Sequence, residues 1–271
     1  MPRRRLRIGL LNSPLLLGSL ASLLAGLATS LGALPVLFLR DISDRLQNTL
    51  LGFAAGVMLA ASFFSLLVPS LEVSRELYDG RLIPALIAAA GTLLGIVAIA
   101  LLNEHAPHEH FLQDRHFREG GVSASLSRIW LFVIAITLHN FPEGLAVGVS
   151  FGNGDMDTGF TVATGIGLQN IPEGLAVAFA LVREGYSRLF ALAVASFSGL
   201  VEPVGGVLGA AAVIVSEPVL PWGQAFAAGA MLYVISHEII PETHRQGFQN
   251  EATTGLSVGL IVMMFLDVTL G

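Results

Sequence analysis

The chain of 271 residues contains no cysteine and no lysine, and only 13% of its residues are charged. Without cysteine no disulfide can form, and any metal site must use nitrogen, oxygen or thioether ligands instead of thiolates. Hydrophobic residues make up 54% of the chain, whereas soluble domains carry about 25% charged residues and a smaller apolar share. The composition therefore indicates a helical membrane protein with several spans.

Apolar runs of about 20 residues, the length that crosses a bilayer as a helix, occur repeatedly along the chain. We predict an all-α fold in a single transmembrane domain, 1–271, with eight transmembrane helices near 13–38, 47–70, 82–103, 127–151, 158–182, 189–214, 219–241 and 253–270. Glycine-containing runs, such as Gly52 to Gly56 and Gly205 to Gly209, are typical of close helix packing. One polar stretch, 104–127, carries four of the seven histidines.

The distribution of arginines predicts the orientation, because cytoplasmic loops of membrane proteins are enriched in positive charge. If the N-terminus lies outside, the inner loops hold eight arginines and the outer loops hold two. The N-terminal arm opposes this orientation without reversing it, with Arg3, Arg4, Arg5 and Arg7. We therefore predict a multi-pass protein of the cell (inner) membrane with both termini outside and the stretch 104–127 in the cytosol.

Two nearly identical segments, His139 to Val147 and Gln169 to Val177, lie 30 residues apart and share Asn, Pro, Glu and Gly in register. That spacing corresponds to one membrane crossing plus a short turn, so the copies should lie on consecutive helices that run in opposite directions. They can then face each other about a two-fold axis in the membrane plane. Inverted-repeat transporters bind their substrates at such an axis.

The charged residues in the middle of the predicted spans are all acidic. Glu143, Glu173 and Glu202 lie well inside their helices, Asp267 lies in the last one, and no arginine lies at comparable depth. An ionised side chain at the centre of a membrane costs about 2.5 to 3.5 kcal/mol on insertion scales. These carboxyl groups must therefore stay protonated or bind a cation.

The neighbouring side chains indicate which cation would bind. His139 and Glu143 are four residues apart and share one helix face, with Asn140 beside them. The second copy repeats this geometry with amides in place of imidazole, and its members are Gln169, Asn170 and Glu173. Imidazole with carboxylate and amide oxygens suits a first-row divalent ion such as Zn²⁺, Fe²⁺ or Mn²⁺. Met58, in the second predicted span, could add a thioether or could only pack.

The end of the seventh span adds polar residues of a different kind. It begins like the zinc-protease pattern HExxH, but Pro241 stands where the second histidine would be, which argues against an intramembrane metalloprotease. His237 and Glu238 could receive metal that leaves the core, or could be solvated residues of a helix end. The loop histidines either hold metal weakly or form a polar linker, and they are His105, His108, His110 and His116.

Taken together, these motifs resemble the ZIP family (Zrt/Irt-like proteins) of metal-ion transporters. The resemblance is carried by HNFPEG in the fourth span, the second NxPEG motif in the fifth, Ser198 to Pro203 in the sixth and SHEIIPETH in the seventh. It implies eight helices in a 3+2+3 arrangement with an inverted repeat, and a homodimer. It also implies uptake of Zn²⁺, or of Fe²⁺, Mn²⁺ or Cd²⁺, into the cytosol by alternating access.

Carried over position by position, the resemblance implies two adjacent metal positions that share two glutamates. The first would be held by Met58, His139, Glu143, Gln169 and Glu173. The second would be held by Asn140, Glu143, Glu173 and Glu202. Asn170 departs from the pattern, because some bacterial members have a bridging Asp there, so we expect one well-bound metal and a transient second position. Glu72 fits an entrance ligand, and His237 and Glu238 fit the inner release route.

Two other functions are compatible with parts of the pattern. A carboxylate-based proton or cation antiporter would explain the buried acids but gives no reason for His139. A metal-dependent membrane enzyme would need a nucleophile or a general base beside an open position, and none stands out. We therefore expect no enzyme activity and no resident cofactor, since the metal is cargo. The expected partners are divalent metal ions, the lipid bilayer and a second copy of the chain, with no nucleic acid.

Overall fold

The computed structural model describes residues 13–105, 122–152, 154–216, 218–244 and 247–270. All regular secondary structure in these ranges is helical and forms eight helices: α1 (Pro14–Leu37), α2 (Asp44–Leu77), α3 (Leu82–His105), α4 (Val122–Gly152), α5 (Met156–Arg183), α6 (Arg188–Val215), α7 (Val219–His244) and α8 (Gln249–Leu270). The N-terminal arginines, His108, His110, His116 and the side chain of His105 lie outside the described residues.

Seven of these helices, all except α4, are long and apolar enough to cross a membrane among the residues that the structure describes. The predicted class, an all-α polytopic membrane protein, is thereby confirmed. Helix α4 is 31 residues long and carries the first copy of the repeated motif. The number of eight spans stays a prediction.

Polar side chains set where several helices begin. The hydroxyl oxygens of Ser13, Ser43 and Ser187 accept hydrogen bonds from backbone N–H groups three residues on, which caps α1, α2 and α6. The Asp155 carboxylate caps α5 in the same way. Just before it, Gly154 adopts φ +86°, a conformation that glycine reaches without steric cost. This tight turn joins α4 directly to α5, the two helices that carry the motif copies.

Glycine lets four pairs of helices pack backbone against backbone. A Cβ added to Gly52 would lie 2.1 Å from the Ala252 carbonyl oxygen, and one added to Gly56 would lie 2.0 Å from that of Leu256. Because both sequence numbers rise together along this contact, α2 and α8 run in the same direction. The same kind of contact joins α3 to α7, α1 to α5 and α4 to α6. The packing role predicted for the glycine runs is confirmed.

The helix contacts follow a symmetric pattern. If α1 is exchanged with α6, α2 with α7, α3 with α8 and α4 with α5, the α2–α8 contact becomes α7–α3 and the α1–α5 contact becomes α6–α4. The same exchange relates two π-helical segments, Ala61–Leu67 in α2 and Ile235–Ile239 in α7. This is the packing that an inverted repeat produces, and it supports the predicted 3+2+3 arrangement.

Helix α6 is broken at Leu200 and Val201, so the single span expected there consists of two half-helices, Arg188–Gly199 and Glu202–Val215. Pro203 lies in the first turn of the second half. Proline is well accommodated at that place because the missing N–H has no helical partner there in any case. Glu202 therefore lies at a helix N-terminus in the middle of the span, where backbone N–H groups have no hydrogen-bond partner within the helix.

Two arginines hold neighbouring helix ends together. Arg183, at the end of α5, lies 2.9 Å from the Asp41 carboxylate and 2.8 Å from that of Asp44, at the start of α2. The hydrogen bond from Arg183 lowers the pKa of Asp41 in the α1–α2 loop. Arg188 donates to the Leu37 carbonyl oxygen at 2.9 Å. These contacts fix the α1–α2 loop against the α5–α6 turn, which in turn positions α1 beside the motif helices.

Candidate metal-transport site

The two copies of the repeated motif lie in the middle of α4 and α5 and are almost completely buried. Their polar side chains are at most 3% exposed and comprise His139, Asn140, Glu143, Gln169, Asn170 and Glu173. Glu202 of α6 is 0% exposed. Pro142 and Pro172 lie inside continuous helices, and each leaves one carbonyl oxygen without its usual helical donor.

The glycine that follows each motif glutamate brings a third and a fourth helix to the site. A Cβ added to Gly144 would lie 1.9 Å from the Glu202 carbonyl oxygen, and one added to Gly174 would lie 1.9 Å from that of Thr29. No side chain fits at either glycine, so α6 approaches α4 and α1 approaches α5 in equivalent ways. The sequence Glu-Gly in both copies thus sets the position of Glu202 beside α4 and that of Thr29 beside α5.

Amide groups connect the two motif helices to the carboxylates. Gln169 Nε2 donates to Glu143 Oε1 at 2.6 Å, and Asn170 Nδ2 donates to Glu202 Oε1 at 2.6 Å. Asn170 Nδ2 also donates to the Ala25 carbonyl oxygen at 2.8 Å. The sequence predicts amide oxygens at the site. The structure adds a second role for Gln169 and Asn170, because their nitrogens donate hydrogen bonds to the glutamates.

Many buried oxygen atoms at this place have no hydrogen-bond partner within the part of the chain that the structure describes. They are Asn140 Oδ1, Glu143 Oε2, Gln169 Oε1, Asn170 Oδ1, both carboxylate oxygens of Glu173, and Glu202 Oε2. Unpaired buried polar atoms are costly, and a concentration of free lone pairs is what a bound cation requires. Glu143 lies within electrostatic reach of both Glu173 and Glu202, so the site is strongly negative whenever these groups are ionised.

The side chains are not gathered into one compact centre. Among the residues that the structure describes, no three His, Asp or Glu side chains form a group close enough to hold a metal ion together. Amides lie against two of the carboxylates, so the mixed set of carboxylate, amide and imidazole is spread between α4, α5 and α6.

Only one of the two predicted release residues reaches the core. His139 Nε2 contacts the Glu238 carboxylate, which lies in the π-helical segment of α7. His237, one residue earlier, is exposed and stacks on Tyr233 with ring centroids 4.9 Å apart. The sequence places both residues near the end of the helix. In the structure Glu238 faces the buried site, whereas His237 faces away from it.

Three further candidates form no hydrogen bond with this cluster among the residues that the structure describes. Met58 is fully buried and packs in an apolar cluster with Ile166 and Met231 among its members. Glu72 is exposed on the last turns of α2. The Asp267 carboxylate accepts a hydrogen bond from Ser65 Oγ of α2 at 2.6 Å.

A bundle of membrane helices that buries three carboxylates, an imidazole and three amides at its centre is a membrane protein built around a cation site. Comparison with known proteins agrees, since the family described as ZIP Zinc transporter matches residues 102–267. The chain is 50% identical over 255 residues to the zinc transporter GufA of Myxococcus xanthus, which covers 94% of this chain and 99% of that protein. The chain belongs to the ZIP zinc transporter family.

Other relatives span bacteria and animals. The zinc transporter ZIPB of Bordetella bronchiseptica is 46% identical over 90% of this chain and 78% of its own length. The human zinc transporter ZIP11 is 34% identical over 90% of this chain and 94% of its own length. The family consists of transporters and not of enzymes, so the membrane enzyme considered above is excluded.

Proposed function

We propose that this chain carries divalent metal ions, Zn²⁺ in the first place, across the cell (inner) membrane into the cytosol by alternating access. The observation that carries the proposal is the set of buried, unpaired oxygens between α4, α5 and α6. A metal ion would supply the missing partner and the missing positive charge. The names of the relatives support zinc as the cargo, and the same donor types also accept Fe²⁺, Mn²⁺ and Cd²⁺.

The proposed ligands of the core are those predicted from the motifs. They are Met58, His139, Asn140, Glu143, Gln169, Asn170, Glu173 and Glu202. Gln169 and Asn170 are well suited to this role, because each donates to a glutamate through its nitrogen and keeps its oxygen free. One metal would be held firmly and the second position filled transiently, since Asn170 adds no charge.

Glu238 gives the proposal a release step. His139 Nε2 cannot bind Glu238 and a metal ion at the same time, so a metal that takes His139 displaces the Glu238 carboxylate. The freed carboxylate then stands beside the occupied site as the next ligand on the way to the cytosol, with His237 beyond it. Glu72, exposed on α2, would receive metal at the outer entrance.

The metal is substrate and not a resident cofactor, and the surrounding lipid is the other partner. The apolar outer helices support a lipid-facing surface or a contact with a second copy, since large side chains such as Leu82, Leu93 and Phe265 are exposed on α3 and α8. We propose a homodimer, and native mass spectrometry that found only single chains would contradict it.

The absence of cysteine allows a direct test of orientation. A single cysteine at Asp79, in the α2–α3 turn, should react with a membrane-impermeant thiol reagent applied to intact cells, because both termini and this turn are proposed to lie outside. The matched variant Arg40→Cys, in the α1–α2 turn, should react only after the membrane is opened. Both positions are exposed. The reverse pattern would refute the proposed orientation.

Uptake into liposomes that contain the purified protein tests the proposed function itself. Radioactive Zn²⁺ should accumulate with time and saturate with concentration, and Mn²⁺ or Cd²⁺ in excess should compete. A carboxylate-based antiporter would instead require an opposing proton or sodium gradient and would show no competition by divalent metals. Protein-free liposomes provide the background, and uptake at that background would contradict the proposal.

A further inference from the structure

Thr29 of α1 is a buried threonine whose hydroxyl lacks the usual helical partner. In the helices of a membrane protein, a threonine hydroxyl commonly donates to the carbonyl oxygen four residues earlier. Four threonines here do so at 2.7 or 2.8 Å, namely Thr49, Thr137, Thr254 and Thr269. Thr29 is 0% exposed, yet its hydroxyl has no partner among the described residues.

The reason lies in Asn170. The carbonyl four residues before Thr29 belongs to Ala25, and its oxygen accepts a hydrogen bond from Asn170 Nδ2 at 2.8 Å. In a regular helix the same oxygen also accepts the backbone N–H of Thr29. Both lone pairs of the Ala25 oxygen are then used, and the Thr29 hydroxyl is left free by the motif residue that also holds Glu202.

The position of Thr29 places this free hydroxyl at the break of α6. A Cβ added to Gly199 would lie 2.9 Å from Thr29 Oγ1, and Gly199 is the last residue of the first half-helix. One turn earlier on the same face of α1, a Cβ added to Gly26 would lie 3.4 Å from Glu202 Oε1. Helix α1 therefore borders the Glu202 side of the site with Gly26 and Thr29.

The internal symmetry leads to the same residue. Thr29 meets Gly174 of the second motif in the same way that Glu202 meets Gly144 of the first. The two residues thus occupy equivalent places in α1 and α6. One provides a carboxylate and the other a neutral hydroxyl.

We propose that the Thr29 hydroxyl oxygen is an additional ligand, direct or through one water molecule, of the metal ion on the Glu202 side of the site. This inference rests on the proposed transport function. A hydroxyl is a hard, neutral oxygen ligand and suits Mn²⁺ and Zn²⁺ better than the softer Cd²⁺. Thr29 therefore shifts selectivity toward the harder ions without adding a charge that would hold them too tightly.

The test compares Mn²⁺ with Cd²⁺ uptake in liposomes that contain one variant each. Thr29→Val keeps the branched shape and removes the hydroxyl, so the ratio of Mn²⁺ to Cd²⁺ uptake should fall several-fold, because the harder Mn²⁺ loses more than Cd²⁺ does when a neutral oxygen ligand is removed. Thr29→Ser keeps the hydroxyl and should retain a ratio near that of the wild type. Thr161→Val is the matched control, because Thr161 is also buried with an unpartnered hydroxyl but precedes Asn170 by roughly 13 Å along the axis of α5.

Each outcome decides the inference. A wild-type ratio in both Thr29→Val and the smaller Thr29→Ala would overturn it, as would an equal fall in Thr161→Val or in Thr29→Ser. Should Thr29→Val fail to insert, Thr29→Ala against Thr29→Ser provides the same comparison. Failure of the proposed function looks different, since the wild-type protein itself would then transport neither metal.

Discussion

Uptake of Zn²⁺ is expected to fall by more than about 100-fold when His139 or Glu143 is replaced by alanine, because loss of even a supporting contact to a metal ligand costs about 10- to 100-fold. His139 is the only imidazole in the buried cluster of the described residues, and Glu143 is held by Gln169 with one oxygen left free. Both side chains are at most 3% exposed. The measurement is the initial uptake rate in liposomes at equal protein content.

Two further variants, together with His139→Ala, separate loss of ligands from loss of structure. Glu143→Gln keeps the shape of the side chain and removes only its charge, so it should be nearly as inactive as Glu143→Ala. His139→Ala also removes the contact with Glu238. We expect this variant to stay folded but to be unable to bind metal at the core. Gln224→Leu is the control, since Gln224 is a buried amide with an unpaired oxygen outside the site. Rates close to wild type in His139→Ala and Glu143→Ala would refute the site assignment.

The sequence was sufficient to predict the helical membrane class and the pairing of the motif helices. Repetition carries that information, because two equal segments at the spacing of one crossing must lie at equal depth on neighbouring helices. The close packing at Gly52 and Gly205 was also predictable, since small residues at these positions have few other uses in a membrane helix.

The contribution of α1 was not predictable in the same way. The segment 13–38 contains no ionisable residue, and a backbone carbonyl such as that of Ala25 has no signature in a sequence. Whether an amide presents its nitrogen or its oxygen depends on its neighbours, so the donation from Gln169 and Asn170 to glutamates could not be inferred either. The contact between His139 and Glu238 joins residues far apart in the chain and depends on how α7 packs beside α4.

Replacing Asn170 by aspartate is expected to increase the metal content of the protein and to slow transport. Asn170 Nδ2 now donates to Glu202 Oε1 and to the Ala25 carbonyl oxygen, whereas an ionised aspartate has no hydrogen to donate. The new carboxylate would face two oxygen atoms and be repelled by both. A divalent cation between the carboxylates reverses the sign of that interaction, and at low dielectric the gain is several kcal/mol before desolvation is subtracted.

The variant should therefore bind a second metal ion per chain and release it slowly, because conduction requires a site weak enough to let the ion leave. Metal content by elemental analysis and the uptake rate should be measured on the same preparation. Gln224→Glu is the control, since it also converts a buried amide to a carboxylate but lies outside the site. If Asn170→Asp changed neither quantity, Asn170 Oδ1 would not face the metal, and the second position that the repeated motif implies would have to be abandoned. A rise in metal content with a fall in rate would instead explain the asparagine physically, because a neutral amide holds Glu202 in place without deepening the well from which the ion must escape.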